Sequence, residues 1–124
     1  MTQSMEKGLK QSRFVEKPWG REEIWAECEA YLGKIITINP GYRLSRQYHV
    51  KKEETIRVLN GCLRLEVGQN ESLETKILNV GECFHVTPGT IHRFCCEGAS
   101  SVDLLEVSTS HLQDVVRLED DYNR

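Results

Sequence analysis

The chain is expected to fold as an all-β sandwich or barrel, and three observations predict this. Apolar and polar residues alternate with period two, in a β-branched-rich composition, from Glu22 to Thr109. Turn signals break that pattern at near-regular intervals: "NPGY" at 39–42, "NG" at 60–61, "GQNES" at 68–72, "VGE" at 80–82 and "TPGT" at 87–90. The length, 124 residues, suits one hydrophobic core and not two.

The elements follow in order. Residues 1–16 form an N-terminal arm, flexible or edge-pairing, because "MTQSMEKGLKQS" has neither strand alternation nor the apolar run of a secretory signal. Residues 17–124 make up a single domain. Its strands are "EEIWAE", "YLGKIITIN", "RQYHV", "TIRVLN", "CLRLEV", "TKILNV", "CFHV", "HRFCC" and "VDLLEVS". Short strands separated by Gly and Pro are the mark of a sandwich or barrel. The "NG" at 60–61 predicts a hairpin between "ETIRVLN" and "CLRLEV". A short C-terminal helix is expected over "HLQDVVRL", with Ser110 as N-cap and Asp114 in its first turns. The charged tail "EDDYNR" closes the chain.

Composition excludes several function classes. Hydrophobic content of 39% and charged content of 28% are those of an ordinary soluble globular protein. A net charge of −3 gives no electrostatic reason for nucleic acid or an anionic membrane as partner. No apolar run reaches the length of a membrane span. Five cysteines, Cys28, Cys62, Cys83, Cys95 and Cys96, are an odd number without CxxC spacing. They are expected to be small buried hydrophobes in a reducing, cytoplasmic setting, and not a disulfide framework or zinc knuckle.

Candidate ligands converge on inward faces. Gln47 and His49 lie two apart and project together from one strand. Glu54 shares parity with Ile56 and Val58, and a carboxylate on a core face is costly unless paired or bound to a cation. His92 follows the "TPGT" turn and shares parity with Phe94 and Cys96. Two imidazoles, a carboxylate and an amide oxygen can hold a divalent metal and leave positions open. The same pattern also suits a solvated Gln47, a Glu54 paired with a nearby lysine, and a His92 that fills the core.

Glycine, five residues, Gln47, one residue, His49, four residues, Glu54, six residues, glycine is the spacing from Gly41 to Gly61. It resembles the first cupin motif, and Gly81 to His92 resembles the second, with nineteen residues between the two. Two departures stand out: Gln47 replaces the usual first histidine, and Pro88 sits one place late. Glutamine at that position resembles the mannose-6-phosphate isomerases, whose metal site is built from Gln, His, Glu and His. "KPWG" at 17–20, "KIITINPGYRLSRQYH", "GTIHRF", "LLEVSTS" and "DVVRLEDDYNR" are similar to stretches of the cupin domain of type II mannose-6-phosphate isomerases. The likeness covers Lys17 to Arg124. Asn123 stands where that family has glycine, and asparagine is the next best residue for a left-handed backbone.

The resemblance implies a cupin double-stranded β-helix, a jelly-roll-like barrel, that binds one divalent metal through Gln47, His49, Glu54 and His92. Zinc is the first expectation, with Mn, Fe, Co and Ni left open. It implies aldose–ketose isomerisation of a sugar phosphate, in which a metal polarises the carbonyl and a base moves the proton. Glu106, which shares parity with Val102 and Leu104, matches the family's glutamate and is the first candidate base. Lys34, which shares parity with Leu32, Ile36 and Ile38, is a candidate proton-transfer aid or phosphate contact, and Lys52 and Arg117 are candidate sugar-phosphate contacts. His85 and His111 have weaker claims. The tail is expected to pack across the barrel through Val115, Val116, Leu118 and Tyr122.

The nucleotidyltransferase domain that often precedes this cupin in the family is not expected here, which leaves the isomerase activity open. The rival readings are a non-catalytic metal- or sugar-binding cupin and an oxygenase-type cupin. Gln47 counts against the oxygenase, which usually carries three histidines. Exposed barrel edges favour a homodimer.

Overall fold

Eleven strands and no helix supply the regular structure of residues 8–70 and 72–124, the part of the chain that the computed structural model describes. In chain order they are β1 (Arg13–Lys17), β2 (Gly20–Glu27), β3 (Leu32–Ile38), β4 (Arg46–Tyr48), β5 (Glu54–Asn60), β6 (Leu63–Gln69), β7 (Ser72–Leu78), β8 (Cys83–Val86), β9 (Ile91–Cys95), β10 (Val102–Ser108) and β11 (Val116–Glu119). They pair into two antiparallel sheets. One has the order β1-β2-β3-β10-β5-β8, the other β11-β4-β9-β6-β7. Among the described residues, no helix is long and apolar enough to cross a membrane.

The inward faces explain both the core and where the site lies. Ile36 and Ile38 of β3, Ile56 and Val58 of β5, and Val102 and Leu104 of β10 meet Leu63, Leu65 and Phe94 of the facing sheet. The inward rows of β3, β5, β9 and β10 also carry Lys34, Glu54, His92 and Glu106. Antiparallel register then gathers those groups at one end of the barrel: Glu106 lies opposite Lys34, and Ser108 opposite Glu54. An apolar floor and a polar end are therefore built from the same strands.

Several expectations are corrected. The "NG" turn does not make a hairpin. Both edges of β5 are taken, by β10 and β8, so the turn carries the chain across to the other sheet, where β6 pairs with β7 and β9. Gly61 adopts φ 82°, and a Cβ there would sit 2.5 Å from the Ser101 carbonyl oxygen. The C-terminal helix is absent. Residues 111–115 make a turn, and Val116–Glu119 extends to pair with β4, so the gain of a ladder at an open edge overrides local helix propensity.

Only Cys95 and Cys96 are buried; Cys28, Cys62 and Cys83 are exposed because they sit at turns or at the start of an edge strand. Residues 8–12 precede β1, which pairs along β2 from Arg13 to Lys17; the first seven residues of the arm lie outside the described residues.

The tail is held differently from the apolar packing expected of it. Leu118 stays 50% exposed, since β11 is an edge strand with a neighbour on one side only. Val115 and Val116 are half-buried, and Tyr122 packs against the core while its hydroxyl donates to the Arg43 carbonyl at 2.7 Å. Buried Arg93 fixes the strand: its Nε donates to the Leu44 carbonyl at 2.8 Å and its Nη1 to Glu119 at 2.9 Å. Asn123 takes φ 57°, the left-handed conformation its position calls for.

Candidate metal centre and its cavity

His49, Glu54 and His92 meet at the polar end of the barrel, all buried. Glu54 opens β5, His92 stands second in β9 opposite Gln47, and His49 follows β4 directly. The three offer ligand atoms that lie within 4.8 Å of one another. His49 Nε2 is 3.4 Å from Glu54 Oε2, and His92 Nε2 is 3.8 Å from Glu54 Oε1.

Backbone carbonyls set the tautomers. His49 Nδ1 faces the Asp114 carbonyl at 2.5 Å, and His92 Nδ1 faces that of Thr90 at 2.9 Å. A carbonyl only accepts, so each Nδ1 carries a hydrogen, and each Nε2 is the ring atom turned towards Glu54. Both Nε2 atoms and Glu54 Oε2 are buried without a hydrogen-bond partner. Two imidazole nitrogens and a carboxylate oxygen gathered without hydrogen-bond partners fit a bound cation. The carbonyl contacts are the outer-shell orientation that metal-ligating histidines use.

Gln47 is half-buried beside them, and its Oε1 accepts from Ser45 Oγ at 2.6 Å. The amide oxygen keeps a second lone pair.

A second charged group lies against the first. Lys52 Nζ is 3.2 Å from Glu54 and 3.1 Å from Glu106, ion-pair distances at which neither Oε2 gains a well-angled hydrogen bond. Burial works against the ammonium, but the charges of Glu106 and Glu54 outweigh it and push the Lys52 pKa up. Burial also pushes the Glu54 carboxyl up, and there His49 and Lys52 prevail and hold it down. Glu106 goes the other way: full enclosure, aided by the charge of Glu54, raises its pKa. His92 is lowered, chiefly by burial, and so stays neutral as a ligand must. Lys34 is engaged elsewhere, in a buried ion pair with Glu22 at 3.1 Å.

A cavity of about 320 Å³ opens onto this end of the barrel. Gln47, His49 and Lys52 line its inner part. Arg13 and Lys17 of β1, Lys34 of β3, and Arg117 and Arg124 of the tail bring its cationic side chains to six, against the single acid Glu22. Arg117 makes no ion pair among the described residues and pairs in register with Gln47. Glu106 does not line the cavity; Lys52 is the group that touches both. His85 and His111 are not part of the centre: His85 pairs with Glu53 at 2.5 Å on the surface, and His111 Nδ1 contacts Thr109 at 2.9 Å.

Two contributions escape a reading by motif alone. Glu22 shares inward parity with Ile24, which could have flagged it as the partner of Lys34. Asp114 falls within the expected helix, and nothing in its spacing signals that its carbonyl faces His49 Nδ1.

Two antiparallel sheets closed over a His–Glu–His group at one end define a cupin-type barrel. Solved structures agree on that fold. CapF, the capsular polysaccharide assembling protein of Staphylococcus aureus, matches with TM-score 0.78 at 14% identity, over 88% of this chain and 34% of that one. Oxalate decarboxylase of Bacillus subtilis, a protein with Mn(II) centres, matches with TM-score 0.74 at 19% identity, over 85% and 29%. Within that class the chain belongs to the family described as Mannose-6-phosphate isomerase C-terminal, whose model matches residues 4–120.

Relatives carry the same segment inside longer proteins. Mannose-1-phosphate guanylyltransferase ManC of Salmonella typhimurium is 36% identical over 115 residues, 90% of this chain and 23% of that protein. Xanthan biosynthesis protein XanB of Xanthomonas campestris is 32% identical over 115 residues, 90% and 24%. The chain thus spans about a quarter of the length of the curated relatives it matches.

Proposed function

We propose that this cupin binds one divalent metal through His49, Glu54, His92 and Gln47 and isomerises a phosphorylated aldose and its ketose, as in mannose 6-phosphate and fructose 6-phosphate. The observation that carries the reading is the placement of orphaned histidine and carboxylate donors beside a cavity with six cationic side chains and one acid. Zinc is the first choice of metal. Such an ion supplies Lewis-acid polarisation of a sugar carbonyl when bound.

The chain's own groups do the rest. Arg117, with Arg13, Lys17 and Arg124 around the same cavity, attracts and orients the phosphate. Lys52 passes one of its protons to Glu106, 3.1 Å away, whose raised pKa favours taking it, and the neutral amine then accepts the sugar's carbon-bound proton; the reverse transfers return both protons. Lys34, fixed by Glu22, keeps a positive charge on the cavity wall. Trp19, Ile24 and Leu44 exclude water from the apolar side.

A second reading, a non-catalytic metal- or sugar-binding cupin, draws on the enclosure of Glu106 behind Lys52. One experiment separates the two: a coupled assay of the zinc-loaded chain with mannose 6-phosphate, with binding followed in parallel. Turnover abolished by Glu106→Gln supports the isomerase. Tight binding of the sugar phosphate without turnover supports the binding module and overturns the catalytic reading.

A further inference from the structure

The loop that carries the centre, His49 to Glu53, has almost none of its backbone bonds within itself. Its N–H and C=O groups go to three distant residues. His49 O accepts from Gly89 N–H at 2.7 Å, and Glu53 N–H donates to Thr109 Oγ1 at 3.1 Å. The three amides between them all donate to one carboxylate: Val50 to Asp114 Oδ1 at 3.0 Å, Lys51 to Oδ2 at 2.7 Å and Lys52 to Oδ2 at 2.9 Å. The same residue's carbonyl receives His49 Nδ1–H. Val50 and Lys51 are exposed, so between the buried His49 and Lys52 the loop is held through its backbone.

We propose that Asp114 is the positioning residue of the metal centre, its carboxylate clamping the Val50–Lys52 backbone so that its carbonyl fixes the ring and tautomer of His49. The inference rests on the metal-site reading for its consequence, but the clamp itself is a property of the metal-free chain. Three successive N–H groups donating to one carboxylate make an anion-binding concavity. The clamp joins two segments 62 to 65 residues apart, the ligand loop and the turn before β11. Metal binding and the order of that turn are therefore linked: whatever releases residue 114 weakens the centre, and a bound ion tightens the turn.

Three readouts on the full chain test this, with Asp114→Ala, Asp114→Asn and Glu119→Gln as variants. In the metal-free protein, hydrogen exchange reports the Val50, Lys51 and Lys52 amides, and imidazole nitrogen shifts report the tautomers. Zinc affinity is measured by chelator competition. In Asp114→Ala the three amides lose protection, His49 loses its fixed Nδ1–H tautomer while His92 keeps its own, and zinc binds about 10–100-fold more weakly. Asp114→Asn, which retains one acceptor oxygen, falls between, and decides the matter if the alanine variant does not fold. Glu119→Gln, which loosens the tail elsewhere, leaves all three readouts in place.

Unchanged exchange and tautomer in both Asp114 variants would overturn the proposal. So would equal losses in Glu119→Gln, which would assign the effect to the tail in general. If the parent chain takes up no zinc, the metal reading fails, and the two metal-free readouts still decide the clamp.

Discussion

Replacing Lys52 with methionine would remove one buried ammonium and keep most of its volume. Glu54 and Glu106, both almost fully enclosed, would then face each other without the cation that now lies 3.2 and 3.1 Å from them. Removing one partner of a buried pair costs about 3–5 kcal/mol. The low end applies, because Glu106 can relieve the charge by taking a proton. At roughly 4 °C per kcal/mol for a chain of this size, the metal-free variant should melt about 12 °C below the parent.

The pH dependence follows from Glu106. Its folded pKa is raised above the ordinary carboxylate value near 4.3. The native state therefore holds more protons than the unfolded one in that window, and stability falls as pH rises through it. Lys52 restrains that rise, so its loss widens the window upward and the deficit grows from mildly acidic to alkaline pH. Zinc at Glu54 should return part of the lost stability. Calorimetric or fluorescence melts with and without zinc over this range measure it. A metal-free variant that melts within about 2 °C of the parent at pH 8 would refute Lys52 as the internal counter-charge.

Three further outcomes are expected. The Asp114 carboxyl is held down at about 2 by the amides of Lys51, Val50 and Lys52, so its contribution is present above the ordinary aspartate value and lost as pH falls towards 2. Melts of Asp114→Asn should thus fall below the parent at neutral pH and converge with it in acid; a gap that widens in acid would contradict this. Gly61→Ala, which forces a Cβ against Ser101 at positive φ, should cost about 1–3 kcal/mol by denaturant titration, and no change would show that the turn relaxes freely. Arg117→Glu should raise KM for the sugar phosphate roughly tenfold or more at unchanged melting temperature, and an unaltered KM would remove Arg117 from the phosphate site.

Period-two alternation located the central strands because their inward sets, such as Ile36 and Ile38 or Leu104 and Val102, face a core on one side only. It missed β1 and β11, edge strands whose exposed residues carry little pattern. Turn chemistry showed where the chain bends but not which strand it bends towards. Asn60-Gly61 has a hairpin sequence, yet β5 had both neighbours already, and only tertiary pairing decides that. The convergence of the candidate quartet was legible because motif spacing and strand parity agree on Gln47, His49, Glu54 and His92, and the structure brings the last three within 4.8 Å of one another. The groups that orient it were not. Asp114 lies 65 residues from His49, and its role depends on a backbone carbonyl and three amides, which no side-chain pattern records. Arg93 shows the same limit: its parity points away from the core, and it is buried between the Leu44 carbonyl and Glu119 of the tail.

The central claim is a divalent-metal centre at His49, Glu54 and His92 with Gln47 alongside, and metal stoichiometry tests it most directly. The full chain and its His49→Ala/His92→Ala variant would be equilibrated with zinc, dialysed side by side and submitted to elemental analysis. The account predicts about one zinc per parent chain and almost none in the folded variant, because a single carboxylate and an amide cannot hold the ion. Equal zinc in the two proteins would contradict it.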